Sequence, residues 1–186
     1  TMMSRALLHF KGGAVPKGPL TLAQAGIVAP EAAAAIAAAL MAGAMQRVFD
    51  MTLSYANDRT QFGKPIGKFQ AVQHQLSVLA EHVFAVRIAA QLAFVGPGPL
   101  PDELKAAAAK ARASEAVPIV TSIAHAVHGA IGITEEYDLQ LYTRRLLAWR
   151  LMHGGEQYWQ KRLGEALLAS GQDMLPFICN HIFTKA

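Results

Sequence analysis

At 186 residues, 53% of them hydrophobic and 16% charged, with a formal net charge of +4, the chain is long enough to bury a sizeable core and carries little charge to cover its surface. Its Lys and Arg residues are scattered rather than blocked with aromatics, which argues against nucleic acid. The single cysteine, Cys179, excludes an internal disulfide or a cysteine metal site.

No charge-free apolar run of about 20 residues meets the test for a membrane span; Ala32 to Gln46 comes closest and is too short. No basic segment leads into an apolar run as in a secretory leader. A soluble, cytoplasmic protein is expected, with an apolar patch facing a partner.

Residues 1–29 differ from the rest. Ala6 to Lys11 reads as one short strand, and Gly12, Gly13, Pro16, Gly18 and Pro19 break the following stretch into loops. A lone strand is not stable, so this segment is expected to be a remnant of a larger β-domain and its exit linker.

From Pro30 the pattern turns helical. Glu31 stands in the first turn, and Ile36, Leu40, Met41, Ala44, Val48, Met51 and Tyr55 recur at spacings of three and four, predicting a helix over 31–57. Its Ala-rich half, with Gly43, suits tight packing against another helix. Val72, Leu76, Leu79, Val83, Val86 and Ala90 predict a second helix over 69–95, which the Gly-Pro run at 96–101 stops. Asp102 and Glu103 favour the start of a third. It runs to His128, and Pro118 inside it is expected to bend it or remove a backbone bond. Gly129 to Gly132 turn the chain, a fourth helix is expected over 136–151, and His153-Gly154-Gly155 breaks it from a fifth over 156–170. A short helix or docked coil follows. Residues 30–186 therefore read as one all-α domain, an antiparallel four-helix-bundle-like array.

Between the first two helices, Tyr55 to Gln75 (YANDRTQFGKPIGKFQAVQHQ) gathers turn residues, cations and amides that its flanks lack. A simple reversal needs less. The run Arg59-Thr60-Gln61-Phe62-Gly63-Lys64-Pro65-Ile66-Gly67, followed by Phe69-Gln70, resembles the signature of the acyl-CoA dehydrogenase family, in its C-terminal helical domain. The similarity continues, in order, through GAMQ at 43–46, Tyr55, HGAIGITEE at 128–136 and the Arg144-Arg145 helix.

The resemblance implies an FAD shared across a subunit interface, with Arg59 on the diphosphate of a neighbouring subunit's cofactor and Gln61, Phe62, Phe69 and Gln70 over its adenine half. A guanidinium suits that task because it stays charged and can hold two phosphate oxygens at once. Gln61 offers an amide, Phe62 an aromatic wall, and Gly63 and Gly67 a backbone that can come close. By the same resemblance the turn at Gly129 and Ala130 supplies backbone groups to the flavin. Ala126 departs from the pattern, standing where many members carry a Gln, and Ala130 replaces a second Gly.

The family reaction removes an α-proton from an acyl thioester with a carboxylate base while hydride leaves for the flavin. The usual Glu-Gly-Thr turn falls on 153–155, so His153 stands at the base position; the alternative position on the first helix falls on Ala33. Neither is a carboxylate. His153, whose imidazole is a residue type used as a general base, and Glu156, three residues on, are the candidate bases. Glu31 and Glu156 also read as ordinary helix-start charges. His125 and His128 flank the Gly turn without a cysteine or carboxylate cluster to make a metal site.

The expected function is that of the FAD-contacting, oligomerising domain of an acyl-CoA dehydrogenase-like flavoprotein. The full-length protein would act on an acyl-CoA thioester in lipid metabolism and pass electrons to a separate acceptor, while the 186-residue chain by itself would be inactive. Two alternatives stand beside it. One is a non-catalytic subunit of a heteromeric dehydrogenase, which the missing Glu favours; the other is a free-standing helical interaction domain.

Overall fold

A computed structural model describes residues 30–96 and 100–183. The strand and linker expected over 1–29 lie outside the described residues.

Among the described residues there are six α-helices: α1 (Pro30–Asp58), α2 (Gln70–Leu92), α3 (Glu103–His128), α4 (Leu139–Leu151), α5 (Glu156–Ser170) and α6 (Met174–His181). Helix α3 is the hub, packing against α1, α2, α4 and α5. Its start is fixed by Asp102, whose Oδ1 accepts hydrogen bonds from the amides of Leu104 and Lys105, each at 3.0 Å. It continues through Pro118, which has no N–H to offer the carbonyl four residues back.

The core is built from small residues on the shared faces of the long helices. Met41, Met45 and Val48 of α1, Leu79, Val83 and Val86 of α2, and Ala106, Ala113, Val117 and Val120 of α3 are fully buried, joined by Leu139 and Leu146 of α4. A second, smaller cluster puts Ala34, Ala107 and Ala111 around Trp159 of α5. Alanine faces let the helices approach closely, so modest side chains still exclude water.

The structure corrects the sequence reading at several places. Gly43 does not serve packing inside the chain: it is exposed, and a Cβ there would meet nothing within 4 Å. Helix α2 stops at Leu92, because Phe94 and Val95 close tight turns onto Gln91 and Leu92, and the Lys105 ammonium takes the Val95 carbonyl at 2.7 Å. Helix α4 starts at Leu139 rather than 136. A 3-10 turn over Gly129–Ile133 intervenes, and Thr134 secures it through both its amide and its hydroxyl on the Ile131 carbonyl.

Between α1 and α2 lies a feature the helical reading lacked, an antiparallel hairpin of β1 (Thr60–Gln61) and β2 (Lys64–Pro65). By length and mean hydropathy α1 and the Glu103–Ile133 helix could cross a membrane, whereas the charge-free-run test found none; 56% and 44% of their apolar windows are buried within the bundle. Core helices of a soluble protein pass the same test.

Candidate functional site

The hairpin is anchored to α1 and then projects away from it. The Arg59 amide closes the last turn of α1 on the Tyr55 carbonyl at 2.9 Å, and the Ile66 amide returns to the Arg59 carbonyl at 2.8 Å. Gly67 lies so close to α1 that a Cβ would stand 3.1 Å from the Ala56 carbonyl oxygen. The Gln73 side chain donates its Nε2 to the Gly67 carbonyl at 3.0 Å.

Phe62 and Gly63 form the two-residue tip, with φ of 51° and 79°. Left-handed geometry at both positions is what a type I′ turn requires, and it is uncommon for phenylalanine. The Phe62 ring is 92% exposed. It meets Phe69 edge-on at 6.2 Å between centroids, and the Lys64 ammonium lies 4.4 Å over the Phe69 ring. Arg59, Gln61 and Gln70 are exposed. The ion pairs among the described residues use Arg112, Arg150, Lys161 and Arg162, leaving Arg59 outside them.

The Gly129 turn leaves the same end of the bundle. Tyr55, one helical turn before Arg59, stacks on His128 at 4.5 Å, and Tyr137 closes against both rings. His128 is buried. Its Nδ1 engages the Ala124 carbonyl at 2.8 Å, and burial pushes its pKa down, so it is neutral at physiological pH. Gly129, at φ 64°, and Ala130 are exposed. Gly132 is required for packing: a Cβ there would meet His128 at 3.0 Å and Leu139 at 3.1 Å.

His153 and Glu156 lie elsewhere. The α4–α5 turn is held by Lys110 of α3, which is fully buried. Its ammonium donates to Ser114 Oγ at 2.7 Å and to the carbonyls of Arg150 and Gly154, each at 2.8 Å. Trp159 Nε1 donates to the His153 carbonyl at 3.0 Å. His153 sits at φ 57° with its side chain exposed, and Gly154 follows at φ 94°. Burial depresses the Lys110 pKa to about 8 despite the nearby Glu156 carboxylate.

Glu156 is committed to structure. Both of its oxygens pair with the Arg150 guanidinium, which holds its pKa below the ordinary carboxylate value. A general base needs the opposite shift, toward neutral pH. Glu31 is likewise tied, to Arg162 at 3.0 Å. Ala33 adjoins the Ala34–Trp159 cluster, so the two positions assigned to a base by resemblance share one end of the bundle.

The hairpin and Gly turn come together at one end of α3, while the 152–155 turn meets Lys110 toward the other. From Lys110 to Gly129, at about 1.5 Å per residue, the separation is roughly 28 Å. One chain therefore does not assemble Arg59 and His153 around a single point. The sequence reading missed Lys110, Ser114 and Trp159. Their signal was a lysine on the core stripe of α3, in register with Ala106, Ala113, Val117 and Val120.

Comparisons with known proteins agree with this architecture. The family profile described as "Acyl-CoA dehydrogenase, C-terminal domain" matches residues 30–168. Acyl-CoA dehydrogenase IpdE2 of Mycolicibacterium smegmatis is 42% identical over 115 residues, covering 62% of this chain and 36% of that relative. The solved complex of glutaryl-coenzyme A dehydrogenase with glutaryl-CoA aligns with a TM-score of 0.70 at 32% identity, over 80% of this chain and 38% of that one. The ChsE4–ChsE5 complex from Mycobacterium tuberculosis aligns with a TM-score of 0.70 at 27% identity, over 77% of this chain and 39% of that one. The chain thus spans well under half the length of these proteins. Because the profile match runs from the first residue of α1 into the last turn of α5 and takes in both the hairpin and the Gly turn, the chain belongs to the acyl-CoA dehydrogenase C-terminal domain family.

Proposed function

We propose that this chain is the FAD-contacting and oligomerisation domain of an acyl-CoA dehydrogenase-like flavoprotein, whose full-length form dehydrogenates an acyl-CoA thioester at its α,β-bond. The observation that carries this reading is the hairpin. A two-residue tip exposes an aromatic ring in left-handed backbone geometry beside an arginine outside every ion pair of the described residues. Strain and exposure of this kind are maintained where something binds.

The residues present fit the cofactor. Arg59 would hold the diphosphate as a charge-assisted fork. Phe62 and Phe69 would wall the adenine half, with Gln61 and Gln70 offering amides and the backbone at Gly129 and Ala130 approaching the flavin. The first turn of α2 carries no side-chain cap, and with the Val72 and Gln73 amides on the Phe69 carbonyl, those of Gln70 and Ala71 would be the ones offered to an anion. When bound, FAD supplies the oxidising capacity of the reaction. The separation of Arg59 from position 153 supports a clasp for the FAD of a neighbouring subunit.

At the base position, His153 is the residue we propose for α-proton removal in a homomeric enzyme. A second reading is favoured by a specific observation. With a histidine at 153 and Glu156 held by Arg150, the chain suits a non-catalytic subunit of a heteromeric dehydrogenase, an arrangement in keeping with its similarity to the ChsE4–ChsE5 complex.

FAD content and acyl-CoA-dependent dye reduction, measured on the full-length protein and on the 186-residue chain, test the proposal. Flavin retention and turnover by the full-length protein are expected. Turnover by the 186-residue chain alone would overturn the division of labour. His153→Ala separates the two readings, abolishing turnover in the first and sparing it in the second.

A further inference from the structure

We propose that Lys110 is the positioning residue of the α4–α5 turn, its ammonium clamping the backbone that presents position 153. The inference rests on the reading of position 153 as the base position. Three acceptors surround the ammonium, Ser114 Oγ at 2.7 Å and the Arg150 and Gly154 carbonyls at 2.8 Å, and an ammonium has three N–H groups to satisfy them. Ser114 adds a second hydrogen bond to the Arg150 carbonyl at 3.0 Å.

From the other side α5 contributes Trp159. Its indole holds the His153 carbonyl at 3.0 Å, and its backbone amide reaches the Gly155 carbonyl at 3.4 Å. The carbonyls of residues 150, 153, 154 and 155 are thus all taken by donors from α3 and α5. Arg150 and Glu156 pair across the turn. His153 is a non-glycine residue at φ 57°, so the turn keeps one conformation against local preference while the imidazole faces outward.

Stopping a helix needs none of this. At the end of α5 the same chain uses Gly171, at φ 62°, as a left-handed cap whose amide bonds the Leu168 carbonyl. A buried ammonium is a costly substitute for a glycine. What it adds is aim, because the turn is fixed to the central helix at two carbonyls on either side of His153. Burial depresses the pKa of this lysine only to about 8, so the three-donor form is present at neutral pH.

The test is hydrogen exchange and steady-state kinetics on the full-length flavoprotein carrying Lys110→Met, with Ser114→Ala as the milder variant. Exchange of the 150–157 amides is expected to quicken at least tenfold in Lys110→Met and about threefold in Ser114→Ala, with the amides of α1 and α2 unchanged. kcat is expected to fall about tenfold in Lys110→Met while KM and FAD content hold. Unchanged exchange over 150–157, loosening spread evenly through all helices, or a loosened turn with unaltered kcat would each overturn the proposal. If His153→Ala leaves kcat intact, the base reading fails and the kcat criterion lapses with it, and the exchange comparison alone decides whether Lys110 is the clamp.

Discussion

At the Gly129 end of α3 the chain displays groups it does not use itself: an arginine outside the ion pairs, an exposed phenylalanine at a strained tip, and a bare glycine turn. At the Lys110 end the polar groups are consumed internally. Lys110, Ser114 and Trp159 take the turn carbonyls, and Arg150 takes Glu156. The difference separates binding from positioning. Exposed, pre-shaped groups are suited to a ligand supplied from outside, whereas saturated ones fix the conformation of their own backbone. Substitutions at the first end should therefore change cofactor affinity with little effect on folding, and at the second should loosen the turn or the fold with little effect on cofactor affinity.

The largest effect is expected from Trp159→Ala. This side chain is fully buried at the centre of the Ala34–Ala107–Ala111 cluster, and truncating such a residue costs about 4 kcal/mol. Denaturant unfolding would show the loss. If FAD retained per folded protomer also collapsed, the two ends would not be independent.

Arg59→Ala is the converse. Losing two charge-assisted contacts to phosphate removes about 3 kcal/mol of binding, on the order of 150-fold in FAD affinity. An exposed side chain of this kind changes stability by no more than about 0.5 kcal/mol. Flavin titration and a melting curve of the same preparation read both quantities. Arg59→Lys should fall between, since it keeps the charge and loses the fork.

The asymmetry between the ends also explains what could be read from sequence. Helices α1 and α2 were legible because apolar residues recur at spacings of three and four over several turns, and α3 and α5 because an acidic start or glycine breaks mark their ends. The hairpin was not: strands of two residues carry no periodicity, and Phe62-Gly63 is not the Asn-Gly pair that announces a type I′ turn. The start of α4 was misplaced by three residues because 136–138 continue the turn after the 3-10 segment before the helix begins at Leu139. Lys110 was legible in principle, as a cation on the stripe of Ala106, Ala113, Val117 and Val120. Its partners, however, are backbone carbonyls, and no sequence pattern marks a carbonyl that lacks a partner.

Stability against pH tests the saturated end. Lys110 has its pKa depressed from the ordinary 10.5 to about 8. Between those values the unfolded chain binds a proton that the folded chain has released, so stability rises with pH across that window. The penalty for burying the charge is fully present below about pH 8 and is relieved as pH approaches 10.5. It amounts to about 3 kcal/mol at 1.36 kcal/mol per unit. The rise should appear in wild type and vanish in Lys110→Met. At pH 7 that variant trades the same penalty against unpaired carbonyls worth about 1–3 kcal/mol each, so its global stability should stay near that of wild type. An identical pH slope in the two proteins would count against the buried ammonium.

The smallest expected effect is the most specific to the exposed end. Phe62 occupies a left-handed position that costs a side chain like its own about 1–2 kcal/mol, and asparagine less. Phe62→Asn would give the tip the Asn-Gly pair that a type I′ turn favours. The edge-on contact with Phe69 would be lost, but both rings are partly or wholly in solvent, so its loss offsets only part of the relief. A net stabilisation of about 0.5 kcal/mol is expected, seen as a small rise in melting temperature. FAD affinity should fall at the same time by about fivefold, the worth of roughly 1 kcal/mol of aromatic contact with the adenine. Opposite signs in the two measurements would mean that the tip is kept strained for its ligand. A variant that was less stable and bound FAD equally well would make Phe62 a packing residue and leave the exposed end with Arg59 alone.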